Sequence, residues 1–171
     1  MRFKRSPIDS AVRDSMGISN NERIIAWGIG TSSSEKPTYV VATDEALYDQ
    51  RGSARYPWAD VIKGTWQEPQ FVLTLDSGTD AGVTKVAIRV DDPRDLPAAV
   101  RDRVTDTVVV SEYVDLGEEA GAQLVARRDP GAGVEGIRWS IVFDSGLDPG
   151  DPDLRARADR ALADLRASLG I

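Results

Sequence analysis

The run Tyr39-Val40-Val41-Ala42-Thr43-Asp44-Glu45-Ala46-Leu47-Tyr48, followed by Arg55-Tyr56-Pro57-Trp58-Ala59-Asp60-Val61-Ile62, decides the architecture. β-Branched and aromatic residues fill both stretches, and such residues fit a pleated, half-buried surface. Asp44-Glu45 interrupts the first as a short turn, so residues 38–43 and 46–50 are expected to form a tight hairpin. Arg51-Gly52-Ser53 turns the chain again, into a strand over 54–57.

The same rhythm extends in both directions. A strand over 24–29 precedes the polar loop 31–37. Strands over 61–67 and 70–75 flank Glu68-Pro69 as a second hairpin, and after the loop 76–82 a strand over 83–90 closes the series. Seven short strands at this spacing predict a small barrel or sandwich. A short helix over 7–17 precedes them, with Pro7 in its first turn and Ile8, Val12 and Met16 on one face.

Beyond residue 90 the period changes. Leu96, Val100 and Val104 predict a helix over 95–105 with Asp95 as its cap. Three antiparallel strands should follow, over 108–116, 122–128 and 137–143, with turns at 117–121 and 129–136. In the last of these, Ile137, Trp139, Ile141 and Phe143 face one side and Arg138, Ser140, Val142 and Asp144 the other. The chain closes with a helix over 152–169. Asp151 caps it, Pro152 opens it, and Leu154, Ala158, Ala161, Leu162, Leu165 and Leu169 form its apolar stripe. Asp153 and Arg157 have the spacing of an i,i+4 ion pair, and Gly170 ends the helix.

Composition closes off several chemistries. The 171 residues hold no Cys and no His, which excludes Ser-His and Cys-His nucleophiles, disulfides and zinc sites built from those ligands. The net charge of −7 disfavours nucleic acid and anionic membrane as partners. The N-terminal residues have no apolar stretch of the signal-peptide kind, and no run reaches the ~20 apolar residues of a membrane span. The expected compartment is cytoplasmic, and no cofactor is expected.

The stretches quoted at the outset, with Thr43-Asp44 ending one strand and Pro57-Trp58-Ala59-Asp60-Val61 opening another, resemble bacterial pleckstrin-homology-like domains. The resemblance covers about residues 23–106 and implies a barrel plugged by the helix after the seventh strand. Domains of this class bind lipids, peptides or proteins and are rarely catalytic. The loop 31–36 has one Lys and one Glu, so the Lys/Arg-rich loop of the phosphoinositide-binding version is missing. The whole chain is also similar to a family of small actinobacterial proteins, through Ile25-Ala26-Trp27-Gly28, Pro57-Trp58, Arg101-Asp102-Arg103-Val104-Thr105, Val125-Ala126-Arg127-Arg128 and Trp139 through Asp148. That likeness implies no activity.

Four features compete as sites. Asp144, Asp148, Asp151 and Asp153 place four carboxylates in ten residues, a set that holds a hard cation or serves as turn and cap residues. Arg127 and Arg128, with Arg138 on the neighbouring strand, form either a small anion-binding patch or the solvated face of a sheet. Trp27, Trp58, Trp66 and Trp139 read as core and cross-strand packing, with Trp58 and Trp66 retained as partner-contact candidates. Gly28-Ile29-Gly30 lacks the third glycine and the helix of a phosphate loop.

The expected protein is α+β. An N-terminal arm (1–22) leads into a pleckstrin-homology-like barrel with its helix (23–106), on which a three-stranded sheet and final helix (107–171) dock. Three strands and one helix make a thin core, so this last part should lean on the barrel or on a second copy of the chain. The functional expectation is a non-enzymatic protein–protein adaptor. The alternatives are a lipid-sensing module at a membrane surface and a carboxylate-based, metal-dependent enzyme.

Overall fold

The computed structural model describes residues 8–30, 36–76, 83–130, 132 and 136–170. Pro7 and parts of the three expected loops lie outside the described residues. The elements are α1 (Ser10–Ser15), β1 (Ile24–Gly30), β2 (Thr38–Thr43), β3 (Ala46–Asp49), β4 (Ala54–Pro57), β5 (Val61–Gln67), β6 (Gln70–Asp76), β7 (Val83–Arg89), α2 (Leu96–Thr107), β8 (Val108–Gly117), β9 (Ala120–Arg128), β10 (Ile137–Phe143) and α3 (Pro152–Leu169). They make three antiparallel sheets, ordered β1-β2-β3-β4 (sheet A), β5-β6-β7 (sheet B) and β10-β9-β8 (sheet C).

Sheets A and B enclose the main core. Ala26, Val40 and Leu47 meet Phe71, Leu73 and Ile88 there, and Leu96 and Val100 of α2 close it. The corner between β4 and β5 is a single 3₁₀ turn (Trp58–Asp60) whose Trp58 is wholly buried. Its indole Nε1 donates to the Thr43 carbonyl at 2.9 Å, so the largest core side chain leaves no bare donor.

The opposite corner is a backbone splice. Ile29 N–H donates to the Asp92 carbonyl at 2.9 Å, and Asp91 and Asp92 N–H donate back to Ile29 at 2.9 and 3.0 Å. This one bridge joins β1 to the chain beyond β7. Sheets A and B are otherwise separate ladders among the described residues, rather than one closed barrel. The flanking glycines permit the approach. A Cβ at Gly28 would stand 2.9 Å from both the Asp92 carbonyl and Val90 Cγ1. Close backbone packing is thus the role of Gly28-Ile29-Gly30.

β2 is buried on both faces because the outer face of sheet A is covered too. Val41, Ala46 and Tyr48 pack there against Ile18, with Ile8 and Met16 beside them. α1 is shorter than expected, since the Asp9 side chain caps it by accepting from Ala11 N–H at 3.1 Å.

Sheet C and α3 form a separate cluster, with Leu116, Ala120 and Ala122 against Leu154 and Ala158. Asp151 Oδ1 accepts from Asp153 and Leu154 N–H at 2.9 and 3.0 Å, and Gly170 ends α3 at φ 74°. The apolar stripe is covered only over its first half, and Leu169 is 46% exposed. The Asp153–Arg157 side-chain pair does not form. Arg157 reaches instead across to β8 and donates to the Leu116 carbonyl at 2.9 Å, while Arg155 and Asp159 make the i,i+4 pair at 3.2 Å.

The β8–β9 turn is tighter than the expected 117–121. Gly117 pairs with Ala120, which leaves Glu118 and Glu119 as a two-residue turn at φ 56° and 61°. Two positive φ values match the hairpin turn that favours Asn-Gly, and a side-chain-bearing residue in this region costs about 1–2 kcal/mol.

Two stability changes follow. Gly28→Val is expected to destabilise by about 3 kcal/mol, which lowers the thermal midpoint by about 6–12 °C. An unchanged midpoint contradicts the close approach of β1 to Asp92. Replacing Glu118-Glu119 by Asn-Gly is expected to raise the midpoint by about 2–4 °C through relief of about 1 kcal/mol. Calorimetry checks both, and a lowered midpoint for Asn-Gly contradicts the strained turn.

Candidate functional site

The register of sheet C decides the fate of the three arginines. Arg138 pairs with Arg127, and Ser140 with Val125, so their side chains share one face. That face turns toward sheet B at the buried Arg127 and Ser140, while Arg138 stays exposed at its margin. Arg138 meets Asp60, Ser140 Oγ donates to Asp76 Oδ2 at 2.6 Å, and Arg127 Nη2 donates to the Ile62 carbonyl at 3.0 Å. Arg127 is 3% exposed, and its Nε and Nη1 have no hydrogen-bond partner among the described residues. Burial lowers its pKa, against the opposing charge of Asp76.

Arg128 falls on the other face of β9. It is exposed and lines a cleft of about 230 Å³ with Asp44, Trp58 and Arg103. The three arginines therefore make no common patch. β9 is the central strand of its sheet and is buried on both faces, which turns Arg127 into an interface residue.

The acidic loop is engaged locally. Asp144 Oδ2 accepts from the Tyr113 hydroxyl at 2.8 Å, a bond that raises the Tyr113 pKa. Asp148 Oδ1 accepts from Gly150 N–H at 2.9 Å, Asp151 caps α3, and Asp153 occupies the first turn of α3. Among the described residues, no group of three His, Cys, Asp or Glu is placed to hold a metal ion. Of the two readings open for the four carboxylates, turn and cap residues fit: Asp151 caps α3 and Asp148 closes a turn.

Nothing in the local sequence signalled the main buried polar cluster. Glu22 lies in a stretch that reads as an ordinary turn, yet it is buried. Its two oxygens accept from the Tyr48 hydroxyl at 2.6 Å and the Thr43 hydroxyl at 2.7 Å. Arg55 Nε donates to the same Tyr48 oxygen at 2.9 Å. Burial, with the bond to Glu22, raises the Tyr48 pKa, while Arg55 opposes the rise. The cluster pins the chain before β1 to sheet A, beside a cleft of about 400 Å³ between the α1 end and the β3–β4 hairpin.

The two tryptophans retained as partner contacts part company. Trp58 is core. Trp66 is half-buried and stands opposite Phe71 across β5 and β6, with ring centroids 4.7 Å apart. This pair floors a groove of about 470 Å³, walled on its other side by Pro97, Ala98 and Arg101 of α2. α2 rests on β5 at Gly64, where a Cβ would come within 2.9 Å of Val100 Cγ1. Among the described residues β5 is an edge of sheet B, so the groove runs along a strand with a ladder on one side only. Arg101 has no ion-pair partner among the described residues.

No family model matches the chain, and no curated protein or solved structure matches it either.

Proposed function

We propose that this chain is a non-enzymatic binding module, a protein–protein adaptor on a pleckstrin-homology-like scaffold. It takes an extended segment of another protein into the groove between β5 and α2. The groove is the observation that carries this reading. A strand edge offers backbone hydrogen bonds to an extended segment, while Trp66, backed by the buried Phe71, offers an apolar floor for alternate side chains. Aromatic rings and arginine concentrate binding energy at interfaces, and Arg101 stands exposed at the rim with no ion-pair partner among the described residues. The fitting segment is apolar at alternate positions and carries one acidic residue. The scaffold reading draws on the four-stranded and three-stranded sheets about one core, closed by a single helix.

The test is selection of displayed random peptides on the immobilised full chain, with the winning peptide then synthesised and titrated by fluorescence anisotropy. The expected result is an apolar consensus with an acidic position. Its affinity should fall at least about tenfold in Arg101→Glu and in Ala98→Arg, both exposed and both neutral to folding by circular dichroism. Selection that enriches no sequence, or equal affinity in parent and both variants, overturns the proposal.

A further inference from the structure

The chain is built as two bodies with separate cores. Sheets A and B with α2 enclose one, and sheet C with α3 encloses the other. Among the described residues no side chain belongs to both. The backbone crosses between the bodies once, where α2 ends at Thr107 and β8 begins at Val108.

The hold between the bodies is polar. On the face of sheet C that meets sheet B, the buried side chains among the described residues are Val125, Arg127 and Ser140, and of these Val125 alone is apolar. Arg127 serves a carbonyl that sheet B leaves over. The register shifts between Val61 and Lys63, so Ile62 has no partner on β6, and its carbonyl accepts from Arg127 instead. The Arg138–Asp60 pair lies where solvent reaches both members, which weakens it. The junction is not filled either. A cleft of about 230 Å³ runs between Asp44, Trp58 and Arg103 on one body and Arg128 and Pro130 on the other, beside the crossing at Thr107. Polar junctions between separate cores permit relative motion, whereas a large apolar contact resists it.

We propose that sheet C and α3 form a hinged cover that lifts off sheet B as one folded body, turning about Thr107–Val108. Lifting breaks the contacts of Arg127, Arg138 and Ser140 and uncovers little apolar surface. Water then reaches the Arg127 Nε and Nη1, which have no hydrogen-bond partner among the described residues in the closed state, and this offsets part of the cost. The second core stays intact, because Ala122 and Ile141, which pack toward α3, stand on the opposite face of sheet C from Val125 and Ser140. With the cover lifted, the Ile62 carbonyl is released, and the free edge of β5 lengthens from the groove back to the bulge.

Thiol labelling of the full chain tests this, since the sequence has no Cys and each introduced one reports alone. Ser140→Cys and Val125→Cys place a thiol at the junction, Ala158→Cys one in the core of sheet C and α3, and Val40→Cys one in the main core. Circular dichroism establishes that each variant is folded, and Leu116→Cys replaces Ala158→Cys if the latter is not. Under native conditions with excess chromogenic disulfide reagent, both junction thiols are expected to react at least about tenfold faster than both core thiols. Low urea should hardly change the junction rates, because lifting exposes little surface. Adding Arg138→Glu, which sets a second carboxylate against Asp60, should speed the junction thiols at least about threefold and leave the core thiols unchanged. Val125→Cys decides the matter where the junction variants differ, because Ser140→Cys itself removes the bond to Asp76. A Val125→Cys thiol as protected as that of Val40→Cys overturns the proposal, as does a junction rate that Arg138→Glu leaves unchanged. An Ala158→Cys thiol as reactive as the junction pair overturns it too, since sheet C then unfolds rather than lifts.

Discussion

The bridge between Ile29 and Asp92 is the constraint on which the rest depends. Its three hydrogen bonds are what joins β1 to the chain that closes sheet B. Backbone groups this close leave no room for side chains on either side, which is why Ile29 stands between two glycines. Once that corner is closed, the inner faces of the two sheets meet. Trp58 then plugs the far corner, and α2 starts four residues after Asp92, where Leu96 drops straight into the shared core.

The second sheet is attached by different physics. Its own core with α3 is small, and its hold on sheet B runs through Arg127, Arg138 and Ser140 on one side and Ile62, Asp60 and Asp76 on the other. A buried guanidinium with two nitrogens unpartnered among the described residues is expensive. The cost is offset because Arg127 satisfies a carbonyl of a strand edge and its stem fills space between sheets. The outer layer on sheet A follows a similar logic, with Glu22 serving as acceptor for two buried hydroxyls. Polar bonds of this type specify where a layer sits, while apolar area supplies most of its stability.

Much of the fold was legible along the chain. β2, β4, β5, β10 and α3 have the expected bounds, and the Asp151 cap, the Gly170 stop and the Glu68-Pro69 hairpin stand where their residue types put them. These features depend on neighbours within a turn or a strand pair, so local pattern is sufficient. The site was far less legible. Alternation correctly set Arg138 and Ser140 on one face of β10 but did not show that sheet B covers that face at Arg127 and Ser140, since alternation is blind to what lies across from a sheet. Trp58 and Trp66 look alike in sequence, yet one is core and the other floors a groove. Glu22 carried no local sign at all, because its partners lie 21 and 26 residues away.

The sequence by itself determined the order and nature of the elements, the turns and caps between them, and the exclusion of thiol and imidazole chemistry. Each of those rests on residue type or on contacts within a few positions. Only the tertiary structure decided which faces are covered. Among the described residues it joined sheets A and B at one bridge, buried Arg127 and Glu22, and left the β5–α2 groove open. These outcomes depend on contacts between residues far apart in the chain, and the energy of such contacts is set by burial and geometry that no local period encodes.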